Sequence, residues 1–374
     1  MKIAYLFGSL TRGGTETLML DVFRHAPEHG LDAMGVYRKT GEYEQDYLNS
    51  GVPMFKLAPA GNKLTYLLRL RKLLLTNQVD IVHAQQPVDA FYAHIACMGT
   101  KIRIMLTLHG YDFNDSKASK SVLKFIISRT DKNIFVSKSQ SDFYIKQFNL
   151  NPVKQHVVYN GISFSKIIDA FDNKAIDALQ GKQNIKKELN LSPDTLLLSS
   201  VGNFIPVRDQ MTLCRFAKLL KNQGVDFQLL LIGKRLDFVA SQYDDCVNYC
   251  RENDLLHHVH FLGMRTDVPQ ILALSDAFVY ATDYDTFGIA VAEAMATGIP
   301  VFVNDWEVMT EITVQGKYAT LYKTKDERDL VEKFMLFLRH KNDYISKAQF
   351  AQQFVRETYS IESHISNLMQ QYDF

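Results

Sequence analysis

Short apolar runs alternate with stretches in which apolar residues recur every third or fourth position, and this alternation continues for most of the chain. Buried parallel strands read as continuous apolar runs, and amphipathic helices read with the longer period. In the first half the runs at 2–7, 33–37, 54–56, 81–83, 103–108, 132–136 and 156–158 predict strands. Helices are predicted between them at 16–25, 64–75, 88–98, 120–128 and 138–148. The second half repeats the order, with strands at 196–201, 227–232, 259–261, 277–280, 301–303 and 320–322. Its helices are predicted at 211–221, 240–252, 268–273, 287–297 and 327–339, and residues 342–372 read as more helix. Two successive βα series of this kind predict two doubly wound, mostly parallel sheets. The polar stretch 163–194 is the natural connector, and its KQNIKKELNLSP segment predicts a surface helix.

One stretch carries most of the chemistry. Residues 276–302 read DAFVYATDYDTFGIAVAEAMATGIPVF. An apolar strand is followed by a polar loop, then by an Ala-rich and Met-rich helix stopped by Gly298 and Pro300. Open α/β sheets bind ligands at the carboxyl ends of their strands. The amides of Phe287, Gly288 and Ile289, at the start of the helix, are placed to attract an anion such as a phosphate. Asp285 precedes them and Glu293 follows on the helix, so one long ligand can meet both carboxylates. The plain alternative, an Ala-rich core helix, accounts for the Ala and Met positions but not for the two acids or the Phe-Gly pair.

This stretch resembles the donor-binding signature of the retaining GT-B glycosyltransferases of family 4 (group 1), E-x-F-G-x-x-x-x-E-A-M-A-x-G-x-P-V. The matching residues are Asp285, Phe287, Gly288, Glu293, Ala294, Met295, Ala296, Gly298, Pro300 and Val301, with Asp in place of the first Glu. The resemblance implies two Rossmann-like domains facing each other across a cleft. Residues 1–165 form the acceptor side, 166–345 the nucleotide-binding side, and 346–374 a helix crossing back to the first domain. It implies that Asp285 holds hydroxyls of the transferred sugar and that Glu293 accepts from the ribose. His109, in LTLHGYD at a strand end, faces the sugar and acceptor. The domains are expected to close over the donor.

Other motifs fit less evenly. The loop SLTRGGTE carries Gly13 and Gly14, which permit close backbone approach or positive φ. It is neither G-x-G-x-x-G nor a Walker A sequence, so nicotinamide and P-loop chemistry are not supported. Relatives place the backbone of such a loop at the donor diphosphate or the acceptor, although a Gly-Gly pair is also an ordinary turn. His83 either lines the cleft or serves as a strand-end hydrogen-bonding residue, and Gln85 stands where many relatives have a second histidine. Asn160 and Gly161 read as backbone geometry. Relatives clamp the diphosphate with an Arg and a Lys; here those positions hold Asn203 and Arg208. Arg208 can grip phosphate oxygens through its fork, whereas Asn203 is neutral. Lys234 and Arg235 end the next strand and either restore the missing charge or are solvated, with Arg12 the alternative source. Arg265 is a candidate neighbour of the base or ribose. Glu311 keeps the glutamate of a Gly-Gly-x-x-E turn whose glycines are absent.

The bulk properties exclude more than they assign. The formal charge is +1, which gives no footprint for nucleic acid. The opening MKIAYLFGSL has no cationic region before a long apolar core, so no signal peptide is expected, and no run is long enough to span a bilayer. Cys97, Cys214, Cys246 and Cys250 match no zinc or disulfide spacing, which favours the cytosol. Two basic and apolar segments, 63–75 and 117–129, can lie against the inner face of an anionic membrane. The expected activity is therefore metal-independent, retaining transfer from a nucleotide-diphosphate sugar to a glycan or lipid-linked acceptor, with no cofactor, in surface polysaccharide or glycoconjugate synthesis. The alternatives are a catalytically weak subunit of another glycosyltransferase and a nucleotide-sugar epimerase.

Overall fold

The computed structural model describes residues 1–58, 62–111, 117–165, 167, 192 and 194–373. They divide into two compact units, Met1–Gly161 with Ile361–Phe374, and Ile162–Ser360. Of the predicted helix at 182–193, only Ser192 is among the described residues.

In the first unit seven strands, β1 (Lys2–Ser9), β2 (Asp32–Lys39), β3 (Met54–Lys56), β4 (Ile81–Ala84), β5 (Arg103–Leu108), β6 (Lys132–Phe135) and β7 (Gln155–Val157), form one sheet in the order β3-β2-β1-β4-β5-β6-β7. Each neighbouring pair is parallel. Parallel pairing requires crossovers, supplied here by α1 (Gly14–His25), α2 (Glu44–Leu48), α3 (Lys63–Thr76), α4 (Pro87–Ala96), α5 (Lys117–Arg129) and α6 (Lys138–Phe148). Successive β1 side chains serve opposite faces. Ile3, Tyr5 and Phe7 pack with α1, while Ala4 and Leu6 pack with Leu70 and Leu74 of α3.

The second unit has six strands, β8 (Leu196–Val201), β9 (Phe227–Ile232), β10 (Val259–Gly263), β11 (Ala277–Tyr280), β12 (Val301–Asn304) and β13 (Thr320–Tyr322), ordered β10-β9-β8-β11-β12-β13. These too are all parallel. Helices α7 (Gln210–Asn222), α8 (Ala240–Glu252), α9 (Val268–Leu274), α10 (Ile289–Ala296), α11 (Glu307–Ile312) and α12 (Glu327–Arg339) connect them, and α13 (Lys341–Thr358) follows. The chain order reverses between β8 and β11, where a doubly wound sheet opens a crevice at its carboxyl edge.

The terminal helical stretch breaks at Tyr359–Ser360. Residues 346–360, grouped by sequence with the tail, belong to the second unit, and α14 (Ile361–Tyr372) belongs to the first. Ile361, Ile365, Leu368 and Tyr372 join the core around β1. Tyr372 is the anchor: its hydroxyl lies 2.5 Å from that of Tyr5 and 2.8 Å from His83 Nδ1. Gly161 is required beside it, since a Cβ there would stand 2.8 Å from the Ile361 Cα and 2.9 Å from the His364 Cβ.

Candidate active site

The second unit gathers its candidate residues on the carboxyl edge around the β8/β11 switch point. Arg208, in the loop after β8, donates from Nη1 to Asp285 Oδ2 at 2.5 Å and to Thr282 Oγ1 at 3.1 Å. Its guanidinium also lies 5.1 Å from the centre of the Tyr280 ring. Tyr280 ends β11 and donates its hydroxyl to the same Asp285 Oδ2 at 2.9 Å. Oδ1 of Asp285 accepts from the amides of Thr286 at 2.8 Å and Phe287 at 3.4 Å. Four protein donors thus converge on one carboxylate. Burial would raise its pKa, but the charge of Arg208 and these hydrogen bonds outweigh that and hold it low. Burial likewise works against the Arg208 charge, and the carboxylate of Asp285 more than restores it. Nη1 makes both of these bonds, and no described residue accepts from Nε or Nη2. Both oxygens of Asp285 accept from protein donors, and Oδ2 ties it to the guanidinium of Arg208.

Phe287 and Gly288 do not start the helix, as the sequence suggested; α10 begins at Ile289. Gly288 is its N-cap with φ 84°, a left-handed conformation, and no side chain caps the helix. A Cβ at Gly288 would also approach Met309 Cε to 2.7 Å. Phe287 is buried and packs edge-on against Tyr359. The Phe-Gly pair is therefore an anchor and a turn, with the uncapped start of α10 directly after it. Glu293 is half-buried on that helix.

Three strand-end glycines bring the neighbouring loops together. Gly202 donates to Ile232 O and Gly233 to Gly263 O, and a Cβ on Gly233 would collide with Gly202 O at 1.9 Å. Asn203, exposed, accepts from the Lys234 amide at 2.9 Å. Lys234 is exposed and no described residue pairs with its ammonium group. Arg235 is committed to Asp244 through two bonds of 3.0 Å and to Asp237 through one of 3.0 Å. Arg265 chelates Asp267 at 2.8 and 2.6 Å. Of the two cations expected to replace the missing clamp residue, Lys234 is the one its neighbours have not engaged.

In the first unit, Gly13 is extended at φ −157° and N-caps α1, and Gly14 begins the helix. Neither has positive φ. The close approach is that of Glu16, whose Oε2 would lie 2.6 Å from a Cβ on Gly13. Arg12 stacks 5.2 Å from the Tyr43 ring centre. His109 Nε2 lies 2.8 Å from Gln85 Oε1. His83 is fully buried, with Nδ1 on Tyr372 and Nε2 on Thr107 Oγ1 at 2.7 Å, so it is a core residue that lines no binding surface. Burial, and then neighbouring histidines, push the pKa of His83 and of His109 down to about 3.

Two family descriptions match the chain: "Glycosyl transferases group 1" over residues 181–354 and "Glycosyltransferase Family 4" over residues 12–166. The chain is a group 1 glycosyltransferase of the GT-B fold. It is 25% identical over 321 residues to the Escherichia coli UDP-Gal:alpha-D-GlcNAc-diphosphoundecaprenol alpha-1,3-galactosyltransferase, covering 82% of this chain and 79% of that one. It is 24% identical over 311 residues to the Bacillus anthracis N-acetyl-alpha-D-glucosaminyl L-malate synthase, covering 80% and 75%. Among solved structures, Anabaena Alr3699/HepE in complex with UDP and glucose superposes with a TM-score of 0.83 at 17% identity, covering 99% of each chain.

For this glycosyltransferase, sequence reasoning found Arg208 and Asp285 separately but not that they pair. It missed Tyr280 and Thr282, which hold them. The available signal was a tyrosine at the last position of an apolar strand, next to the acidic loop. It also saw Gln85 only as a lost histidine, whereas Gln85 is the partner of His109.

Proposed function

We propose that this glycosyltransferase moves a hexose from a nucleotide-diphosphate sugar to a glycan or lipid-linked acceptor, with retention and without a catalytic metal. The observation that carries this is the Arg208–Asp285–Tyr280 cluster at the β8/β11 switch point. When the glycosidic bond breaks, negative charge collects on the leaving diphosphate. Arg208 meets it with the donors Asp285 does not use, and Lys234 and the first amides of α10 add to the field. Asp285 is a positioning residue, fixing the guanidinium and the loop amides before the donor arrives. Glu293 accepts from the ribose hydroxyls, and Arg265 neighbours the base. His109, oriented by Gln85 and held neutral, contacts the sugar and acceptor. The engagement of Asp285 by protein donors supports a route in which the leaving phosphate takes the acceptor proton on the same face.

We further propose a role in surface polysaccharide or glycoconjugate synthesis on the inner face of the membrane; the diphosphoundecaprenol-linked acceptors named for two relatives support it. The test is a thermal-shift screen of nucleotide sugars, followed by turnover with a crude glycan and lipid acceptor pool in the presence of a chelator. Acceptor-dependent nucleotide release that survives chelation supports the reading. Tight binding without turnover supports the other reading, a binding subunit of a partner glycosyltransferase, which the neutral Asn203 favours.

A further inference from the structure

Beside the acidic loop stands an aromatic pair that the diphosphate chemistry does not use. Tyr284 immediately precedes Asp285, and Trp306 leaves β12, the parallel neighbour of β11. Their ring centres are 4.8 Å apart at an interplanar angle of 66°. Tyr284 is 43% exposed, and Trp306 is half-buried. The indole Nε1 is buried without a hydrogen-bond partner among the described residues. A buried orphan donor lowers stability, so a residue chosen for packing alone would not be an indole here.

The pair is also held in place. Asn304 donates to Thr282 O at 2.8 Å and accepts from the Thr282 amide at 3.0 Å, locking the two loops together. Thr282 Oγ1 donates to Tyr284 O at 2.8 Å. Asp305 Oδ1 accepts from the Thr324 amide and hydroxyl at 2.8 and 2.7 Å. The two positions where the family turn would have glycines, Glu307 and Val308, are instead the first turn of α11, with Trp306 as its N-cap.

We infer that Tyr284 and Trp306 form an aromatic wall against the transferred sugar of the donor and so select which hexose is used. The inference rests on the donor reading above. A pyranose presents C–H faces between its hydroxyls, and aromatic rings bind such faces where a nucleoside diphosphate offers only charge and a base. One side of the Tyr284–Asp285 step would thus meet the apolar face of the sugar, and the other organises the phosphate clamp.

The chain has one tryptophan, so its emission reports on residue 306 without labelling. The experiment titrates UDP, GDP and ADP and then the glucose, galactose and mannose conjugates of whichever binds, following tryptophan emission and, by calorimetry, affinity. The expected result is an emission change with one hexose conjugate that exceeds the change with its nucleoside diphosphate by at least twofold. Tyr284→Ala should weaken that conjugate at least fivefold while leaving the nucleoside diphosphate within twofold, and Trp306→Phe should keep binding but flatten the preference among hexoses. Emission blind to the sugar, or equal losses for diphosphate and conjugate in Tyr284→Ala, would overturn the wall while leaving the donor reading intact. No binding of any nucleotide to the wild type would overturn both.

Discussion

The carboxylate of Asp285 is coordinated by a guanidinium, a phenol and two amides, and the cost of disturbing it differs with the substitution. Asp285→Asn keeps the shape but removes the charge that orients Arg208. Loss of one preorganised charge-stabilising group typically costs about 10²–10³ in rate. We expect Asp285→Asn and Arg208→Gln each to lower kcat/KM by about that factor, and because the two act as a unit, the double variant should fall little further. Steady-state kinetics of the three variants checks this; additive losses would separate the pair. Glu293→Ala should weaken nucleotide binding by about tenfold, the worth of one charge-assisted hydrogen bond, in a protein that melts normally. Calorimetry with the nucleoside diphosphate reads it, and unchanged affinity removes Glu293 from the ribose. The buried histidines make stability depend on pH. His83 and His109 bind a proton near 6.5 when unfolded but only near about 3 when folded. The unfolded state therefore takes up protons first, and stability present above pH 6.5 is lost as pH falls towards 3. His83→Gln should flatten the decline of Tm between about pH 6.5 and 4; an unchanged slope would assign the decline to other groups.

At the scale of elements, α14 is fastened by its apolar side chains, by His364 on Tyr159 O, and by the Tyr372 hydroxyl shared between Tyr5 and His83. Tyr372→Phe leaves two buried polar groups without that partner and should destabilise the protein by roughly 1–3 kcal/mol per group. Denaturant titration measures this, and a loss below the error of the method would mean that water replaces the hydroxyl. The thirteen strands of the described residues were each legible in the sequence, the central ones because strands buried on both faces carry few polar positions. The five-residue α2, EQDYL, was not legible, since one turn of helix has no period to read. The early start expected for α10 failed for a local reason: helical pattern continues back through Phe287, but the left-handed φ of Gly288 breaks it. Pairing within the site was equally hidden. Arg208 and Asp285 are 77 positions apart, and only the strand order β8-β11 brings their loops together. His83 illustrates the converse, since a strand-end histidine in sequence became a core residue once α14 covered it.

Over the whole molecule, the feature that bears most on its location is the face made by α3, α4 and α5. Leu64, Leu68, Val122 and Phe125 are exposed there, among the exposed Lys63, Arg69, Lys72, Lys124 and Arg129. Neither KLTYLLRLRKLLLT nor KASKSVLKFIISR contains an acid. No helix of the described residues is long and apolar enough to cross a bilayer, so any membrane contact of this face is peripheral. We expect sedimentation with vesicles containing anionic phosphatidylglycerol but not with neutral phosphatidylcholine vesicles, weakened by salt and by Leu68→Glu with Phe125→Glu. Equal partition to both vesicle types would show that charge plays no part. The anomeric configuration of the product tests the proposed mechanism most directly. Proton NMR of the sugar transferred from an α-linked nucleotide-diphosphate hexose should show an α linkage, formed without added metal and about a hundredfold more slowly by Arg208→Gln. A β-linked product, or nucleotide that binds and is never released from its sugar, would contradict it.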